Sequence, residues 1–417
     1  MPVLKQILRT NRVILPERHP AVTANGGLTA PLHSQAVRTP RLLFIGGLVG
    51  TKGQSAELAD PDIETQTEQL LENMNAVLNE AGLNLADVVR IMVLIRERGE
   101  FQRMNNVYVR YFPKDPPSRT CSTVADMYPG ARVQMAAIAS YEPKTSVQPK
   151  SVTAPELHPA LINLPPSQRR PFYSQALRTP SFMFLSGIVG TDPDRSHITD
   201  TTFEGQARKA MANVQRILEA GGLGTDNIVN VLALLQDQGD AGHLREIYAD
   251  SFARGRPPQC AVTEGEHFPA SKVEIISIAA DDPQAEVIVG DPEGKSLTRS
   301  LRSSFAGGRQ AQLRAIKAHG LLFVNGLTGS EAGDGSIEDH TRRALDALTR
   351  ILAAAGASMA DVVNTTVFLR SSADVDGMNR VYAGYFPNDP PARASATMFD
   401  LQPGAKLEIM AIASSAE

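Results

Sequence analysis

VYVRYFPKDPPSRTCSTVADMYPGARVQMAAIAS, residues Val107–Ser140, is written again near the C-terminus as VYAGYFPNDPPARASATMFDLQPGAKLEIMAIAS, Val381–Ser414. About half of the aligned positions are identical, and a more divergent copy, IYADSFARGRPPQCAVTEGEHFPASKVEIISIAA, lies between them at Ile247–Ala280. Self-similarity at a long fixed spacing marks one supersecondary unit used repeatedly. A second stretch recurs with it: HSQAVRTPRLLFIGGLVG (His33–Gly50), YSQALRTPSFMFLSGIVG (Tyr173–Gly190) and QLRAIKAHGLLFVNGLTG (Gln312–Gly329). The 417 residues therefore divide into three modules, 1–145, 146–285 and 286–417.

Each module has the same internal order. RLLFIGGLVG and its counterparts are apolar runs ending in glycine, the pattern of a buried strand leaving into a turn. Helices are predicted over Ile63–Ala81, Phe203–Ala220 and Ile337–Ala355; in the first, Leu70, Met74, Val77 and Ala81 share a stripe opposite Glu and Gln. DVVRIMVLIRE, NIVNVLALLQD and DVVNTTVFLRS read as strands with at least one buried face. A second helix follows, with Phe101, Met104, Tyr108 and Tyr111 on one side in the first module. Pro116/Pro117, Pro257/Pro258 and Pro390/Pro391 end that regularity before the next strand. The last strand alternates, Val133, Met135 and Ala137 against Gln134, Ala136 and Ile138. The fold class is α+β, each module a small sheet with two helices able to cover one face. KQILRT near the N-terminus and the connections 142–169 and 281–309 are candidates for the first strand of each module.

Composition narrows the function classes. Hydrophobic content of 42% suffices for packed cores, and a net charge of −4 with no basic, aromatic stripe gives no footprint for nucleic acid. Two cysteines, Cys121 and Cys260, are too few for a disulfide framework and fit a reducing cytosol. The N-terminal stretch lacks a long apolar core, and no apolar run reaches membrane-spanning length, so a cytoplasmic protein with no membrane partner is expected. The eight histidines form no HxH or HExxH spacing, and the glycine-rich pieces match no GxGxxG or Walker frame, so neither a metal nor a nucleotide cofactor is expected.

The ordered set YSQAL, FLSG, DVV..TVFL, MN.VYA.YF, PPAR and KLEIMAIA resembles the RidA/YjgF family of imine deaminases, across all three modules. The resemblance implies a chorismate-mutase-like fold. It also implies that the chain is a covalently joined pseudo-trimer, itself a monomer, with ligand clefts between modules, no cofactor, and a small-molecule substrate bearing a carboxylate and a carbonyl or imine group. The family site pairs an arginine after the Pro-rich turn with a tyrosine before SQA, a serine in the SG turn and a glutamate in the last strand. Carried over, the first module offers Arg119 but His33, Gly46 and Gln134 at the other three positions. The second offers Tyr173, Ser186 and Glu274 but Cys260 for arginine. The third offers Arg393 and Glu408 but Gln312 and Asn325. No module is complete, so any complete cleft must draw on two.

These residue types suit imine hydrolysis. A guanidinium grips a carboxylate through two charge-assisted hydrogen bonds, and a glutamate in a partly dry cleft can activate water and pass a proton to the departing amine. The catalytic candidates are Glu274, Tyr173, Ser186, Glu408 and His33; the substrate-binding candidates are Arg119, Arg393, Cys121, Cys260 and Asn325. Each has a plainer reading: a surface arginine, an ion-paired strand glutamate, a capping serine, a small buried cysteine. Two other functions stay open: a biosynthetic tailoring reaction on an imine or keto intermediate, and non-catalytic binding of a small carboxylate.

Overall fold

The long helices start where a short polar side chain caps the first turn. Asp62 accepts from Thr65 N–H, Thr202 from Gly205 N–H and Ser336 from Asp339 N–H, each satisfying a donor the helix cannot. In the computed structural model, which describes residues 6–8, 32–52, 57–195, 197–252, 259–265, 268–290, 296–300, 313–330 and 335–415, these helices run Ile63–Glu80 (α1), Phe203–Ala220 and Ile337–Ala354. They match the stretches expected from periodicity to within one residue.

The first module contains β1 (Gln6–Leu8), β2 (Ala36–Arg38), β3 (Leu42–Leu48), α1, β4 (Val88–Ile95), α2 (Phe101–Tyr111), β5 (Ser118–Thr123) and β6 (Val133–Ser140). The second has β7 (Thr145–Val147), a short α3 (Pro159–Ile162), β8 (Ala176–Arg178), β9 (Phe182–Leu185), α4 (Phe203–Ala220), β10 (Ile228–Leu235), α5 (Ala241–Asp250), β11 (Gln259–Thr263) and β12 (Val273–Ala280). The third has β13 (Glu286–Gly290), β14 (Ser296–Ser300), β15 (Leu313–Ala318), β16 (Leu321–Leu327), α6 (Ile337–Ala354), β17 (Val362–Leu369), α7 (Val375–Tyr385), β18 (Ala392–Thr397) and β19 (Leu407–Ser414).

The first sheet has strand order β1-β2-β3-β6-β4-β5; the second repeats it as β7-β8-β9-β12-β10-β11, and the third as β13-β15-β16-β19-β17-β18 with β14 added outside β13. In each, one pair is parallel, β4 with β5, β10 with β11 and β17 with β18, because a helix crosses over between them. Gln6–Leu8 and the two connections do supply the first strands. β14 was not anticipated.

Both faces of each sheet are apolar, and alternation along a strand assigns them. On β3, Leu43 and Ile45 pack with Leu70, Met74 and Met104 under the helices, while Leu42 and Phe44 point the other way. That second face joins Phe182 and Phe184 of module two and Ile316 and Phe323 of module three in one shared core. The helices cover one face only, so the other is buried by the neighbouring modules. Phe184 is fully buried there, and Phe184→Ala should cost about 3–5 kcal/mol. Denaturant unfolding should show this as a lower midpoint of one transition; an unshifted midpoint, or loss of module two alone, would contradict a core common to all three.

Candidate functional site

The modules meet along seams built from the same pieces. At the first seam, the Pro-Pro turn of module one presents backbone carbonyls to module two: Ser174 N–H donates to Pro117 O at 3.3 Å and Ser174 Oγ to Pro116 O at 2.7 Å. At another, Ser34 N–H of module one donates to Pro391 O of module three at 3.0 Å. At the remaining seam Gly326 of module three lies against Gln259 of module two, so closely that a Cβ at 326 would sit 2.7 Å from the Gln259 carbonyl. The seams run one to two, two to three and three to one, and the modules close on one another. The rim is tied by Gly265 N–H to Thr123 O, Thr263 N–H to Asp400 O and Thr397 N–H to Asp126 O, at 2.8–2.9 Å.

The first seam brings Arg119 together with Tyr173, Ser186 and Glu274, residues that no single module holds. The hydroxyl of Ser186 accepts from Arg119 N–H at 2.8 Å and donates to Ser174 O at 2.6 Å, while Gly187 N–H donates to Arg119 O at 3.0 Å. Ser186 is thus committed to pinning the arginine backbone across the seam. Thr120 Oγ1 donates to Glu274 Oε1 at 2.8 Å, so the residue after the arginine orients the carboxylate. A Cβ on Gly187 would fall 1.3 Å from Glu274 Oε1; only glycine leaves the carboxylate its place. Arg119, Cys121, Tyr173 and Glu274 line one cavity of about 80 Å³.

The Arg119 guanidinium is held by rings rather than by acids. Its carbon lies 4.7 Å from the Tyr108 ring centroid, 4.6 Å from Phe172 and 5.7 Å from Phe101. Its Nη1 is buried and meets no hydrogen-bond acceptor among the described residues. Burial above all, then Glu274, raises the Tyr173 phenol, which stays protonated as a donor. Burial pushes the Cys121 thiol up to about 11, so it is not a thiolate near neutrality. His158 stacks on Phe101 at 5.8 Å and meets Phe172 edge-on at 4.8 Å, roofing the cavity with Phe268. Its Nδ1 accepts from Ala160 N–H, which leaves the neutral ring its proton on Nε2. The long connection ahead of Tyr173 supplies His158 and Phe172; its apolar content was the only sign of them in the sequence.

The other two seams are built differently. Arg393 of module three and His33 and Gln134 of module one line a cavity of about 250 Å³ with Asn379. Arg393 again sits over a ring, 4.7 Å from Tyr382. His33 is driven down to about 3 by burial and then by Arg393, so it is neutral and a poor acid or base near neutral pH. Gly46, at the serine position, has no side chain to clamp the seam. At the seam between modules two and three, Cys260 replaces arginine, is fully buried, and lies beside Glu408. Glu408 is itself fully buried and is pushed up to about 7, by burial against the opposing contacts of Cys260, Ala261 N–H and Gln402. Gln312 and the Asn325 side chain lie outside the described residues.

A family model described as Endoribonuclease L-PSP matches the chain three times, at residues 28–141, 166–281 and 309–415. The chain belongs to the RidA/YjgF family. It carries the family's unit three times over. A RutC family protein from Pyrococcus abyssi is 34% identical over 110 residues, 26% of this chain and 87% of its own length. The human 2-iminobutanoate/2-iminopropanoate deaminase is 32% identical over 114 residues, 27% of this chain and 83% of its own length. The solved structure of E. coli TdcF with bound serine is 26% identical, covering 32% of this chain and 98% of that one, with a TM-score of 0.28. Each match spans about one module of this RidA/YjgF chain. Among the described residues no helix is long and apolar enough to cross a membrane.

The raised Glu408 gives a signed stability prediction. Its carboxyl moves from 4.5 in the open chain to about 7 in the fold, so the native state favours the neutral form. Stability is fully present below pH 4.5 and is lost as pH rises to about 7, a loss of about 3 kcal/mol. Glu408→Gln should therefore match the parent in urea unfolding at pH 4.5 and exceed it at pH 8. Equal stabilities at pH 8 would show that the fold does not raise the Glu408 carboxyl.

Proposed function

We propose that the seam between modules one and two is the active site of a cofactor-independent imine hydrolase acting on small 2-imino acids. The observation that carries this reading is the assembly of Arg119 from one module with Tyr173 and Glu274 from the next around one cavity. The unmet buried Nη1 of Arg119 supplies a ready donor for a substrate carboxylate. Imine deaminase relatives at about a third identity support the reaction class.

The steps follow from those groups. The carboxylate docks on Arg119, which the rings of Tyr108 and Phe172 hold flat, and this places the C=N carbon inside the cavity. Glu274, oriented by Thr120, takes a proton from water as its oxygen bonds to that carbon. The C=N π electrons pass to nitrogen. Glu274 returns that proton to nitrogen, then carries the hydroxyl proton the same way as the tetrahedral carbon expels ammonia, leaving a 2-oxo acid: one imine and one water give one ketone and one ammonia. Tyr173 donates its O–H to substrate or water. Ser186 acts through Arg119, by fixing its backbone.

A second reading applies to the seam of Arg393. It has the larger cavity and a carboxylate-binding arginine, but Gln134 stands where a base is needed and His33 is held neutral. That cleft is suited to holding a small carboxylate without hydrolysing it.

Ammonia release from 2-imino acids, generated in situ by an amino-acid oxidase, tests the proposal. Glu274→Gln, which keeps shape and removes the base, should lower kcat about 10²–10⁴-fold with a small change in KM. Glu408→Gln should leave the rate unchanged. A Glu274→Gln enzyme as fast as the parent would exclude Glu274 as the base.

A further inference from the structure

Three equivalent positions line one cavity, away from the seams' chemistry. β4, β10 and β17 each shift register near their start, between Val88 and Arg90, Ile228 and Asn230, and Val362 and Asn364. The residue after the shift is arginine in module one and asparagine in the other two. Arg90, Asn230 and Asn364 line one cavity of about 70 Å³, walled by Ile138, Ile278 and Ile412.

Among the described residues no acid balances the charge in this cavity. Burial draws the half-buried Arg90 guanidinium down to about 10, and no carboxylate among the described residues opposes the shift. A cation against apolar walls is costly unless an opposite charge or strong acceptors face it. The amides present N–H dipoles and carry no charge. Asn364 spends one Nδ2 hydrogen on Ala392 O at 3.3 Å, which leaves its second. Were arginine at all three positions, three like charges would converge; the tandem chain brings one cation and two neutral amides to the same point.

We propose that this axial cavity binds one small monovalent inorganic anion of halide size, held by the Arg90 guanidinium and the second Nδ2 hydrogen of Asn364, in a space that Asn230 also lines. One such ion neutralises the single cation. The space is several times what one water needs, about 10–15 Å³, so the ion enters with part of its hydration shell. The cavity is lined from all three modules, so binding favours the closed arrangement by mass action.

Bromide is the probe. In crystals of the full chain soaked in sodium bromide, an anomalous difference peak should appear between Arg90, Asn230 and Asn364. In solution, sodium chloride should raise Tm by about 1–2 °C over sodium gluconate at equal ionic strength, gluconate being too large for the cavity. Arg90→Asn copies the residue of the other modules, which keeps the fold, and should abolish both the peak and the chloride-specific shift. Absence of an axial peak in the parent would overturn the proposal, and so would a peak or a chloride shift that persists undiminished in Arg90→Asn. Activity is not the readout, so the result is independent of the hydrolase reading.

Discussion

Each sheet has two apolar faces and helices for only one of them. That mismatch governs the molecule. A module folded alone would leave Leu42, Phe44 and Val89, or their counterparts, in water. At about 25 cal/mol per Å² of apolar surface, such a face cannot stay exposed without a heavy cost. Three modules remove it by turning their uncovered faces to a common core. The seams follow from that closure: the edge strand and Pro-Pro turn of one module must run beside the SG turn of the next. Arg119 therefore faces Tyr173 and Glu274 because of how sheets are buried, before any chemistry is considered.

Writing the three modules in one chain separates the seams from one another. Seam one to two keeps arginine with tyrosine, serine and glutamate. Seam three to one keeps Arg393 but replaces the acid with Gln134 and the tyrosine with His33. Seam two to three loses the arginine altogether, and Cys260 packs against a Glu408 whose carboxyl burial pushes up to about 7. The axial position shows the same freedom, with one arginine and two asparagines. A symmetric trimer would have to make each of these changes three times at once.

Much of this was legible in the sequence, for identifiable reasons. The helices at Ile63, Phe203 and Ile337 announce themselves through periodicity and their caps. Arg119, Arg393, Glu274 and Glu408 stand out because they sit at fixed offsets in repeated motifs. The pairing of modules was not legible, because it depends on the order in which uncovered faces close. Nor was the role of Ser186, expected among the catalytic residues; its hydroxyl is spent on Arg119 N–H and Ser174 O. His33 was expected among the catalytic residues, and burial beside Arg393 leaves it neutral. The roof of His158 and Phe172 was missed because it comes from a connection outside the repeated motifs, where repetition gives no signal.

The central claim is that catalysis belongs to one seam of three. Its most direct test compares ammonia release by Arg119→Ala and Arg393→Ala, measured separately against the parent under identical conditions. Arg119→Ala should lose kcat/KM by about 10²-fold or more, as expected for removal of a bidentate carboxylate contact, and Arg393→Ala should stay within about twofold of the parent. Equal losses in the two variants, or a loss confined to Arg393→Ala, would contradict it.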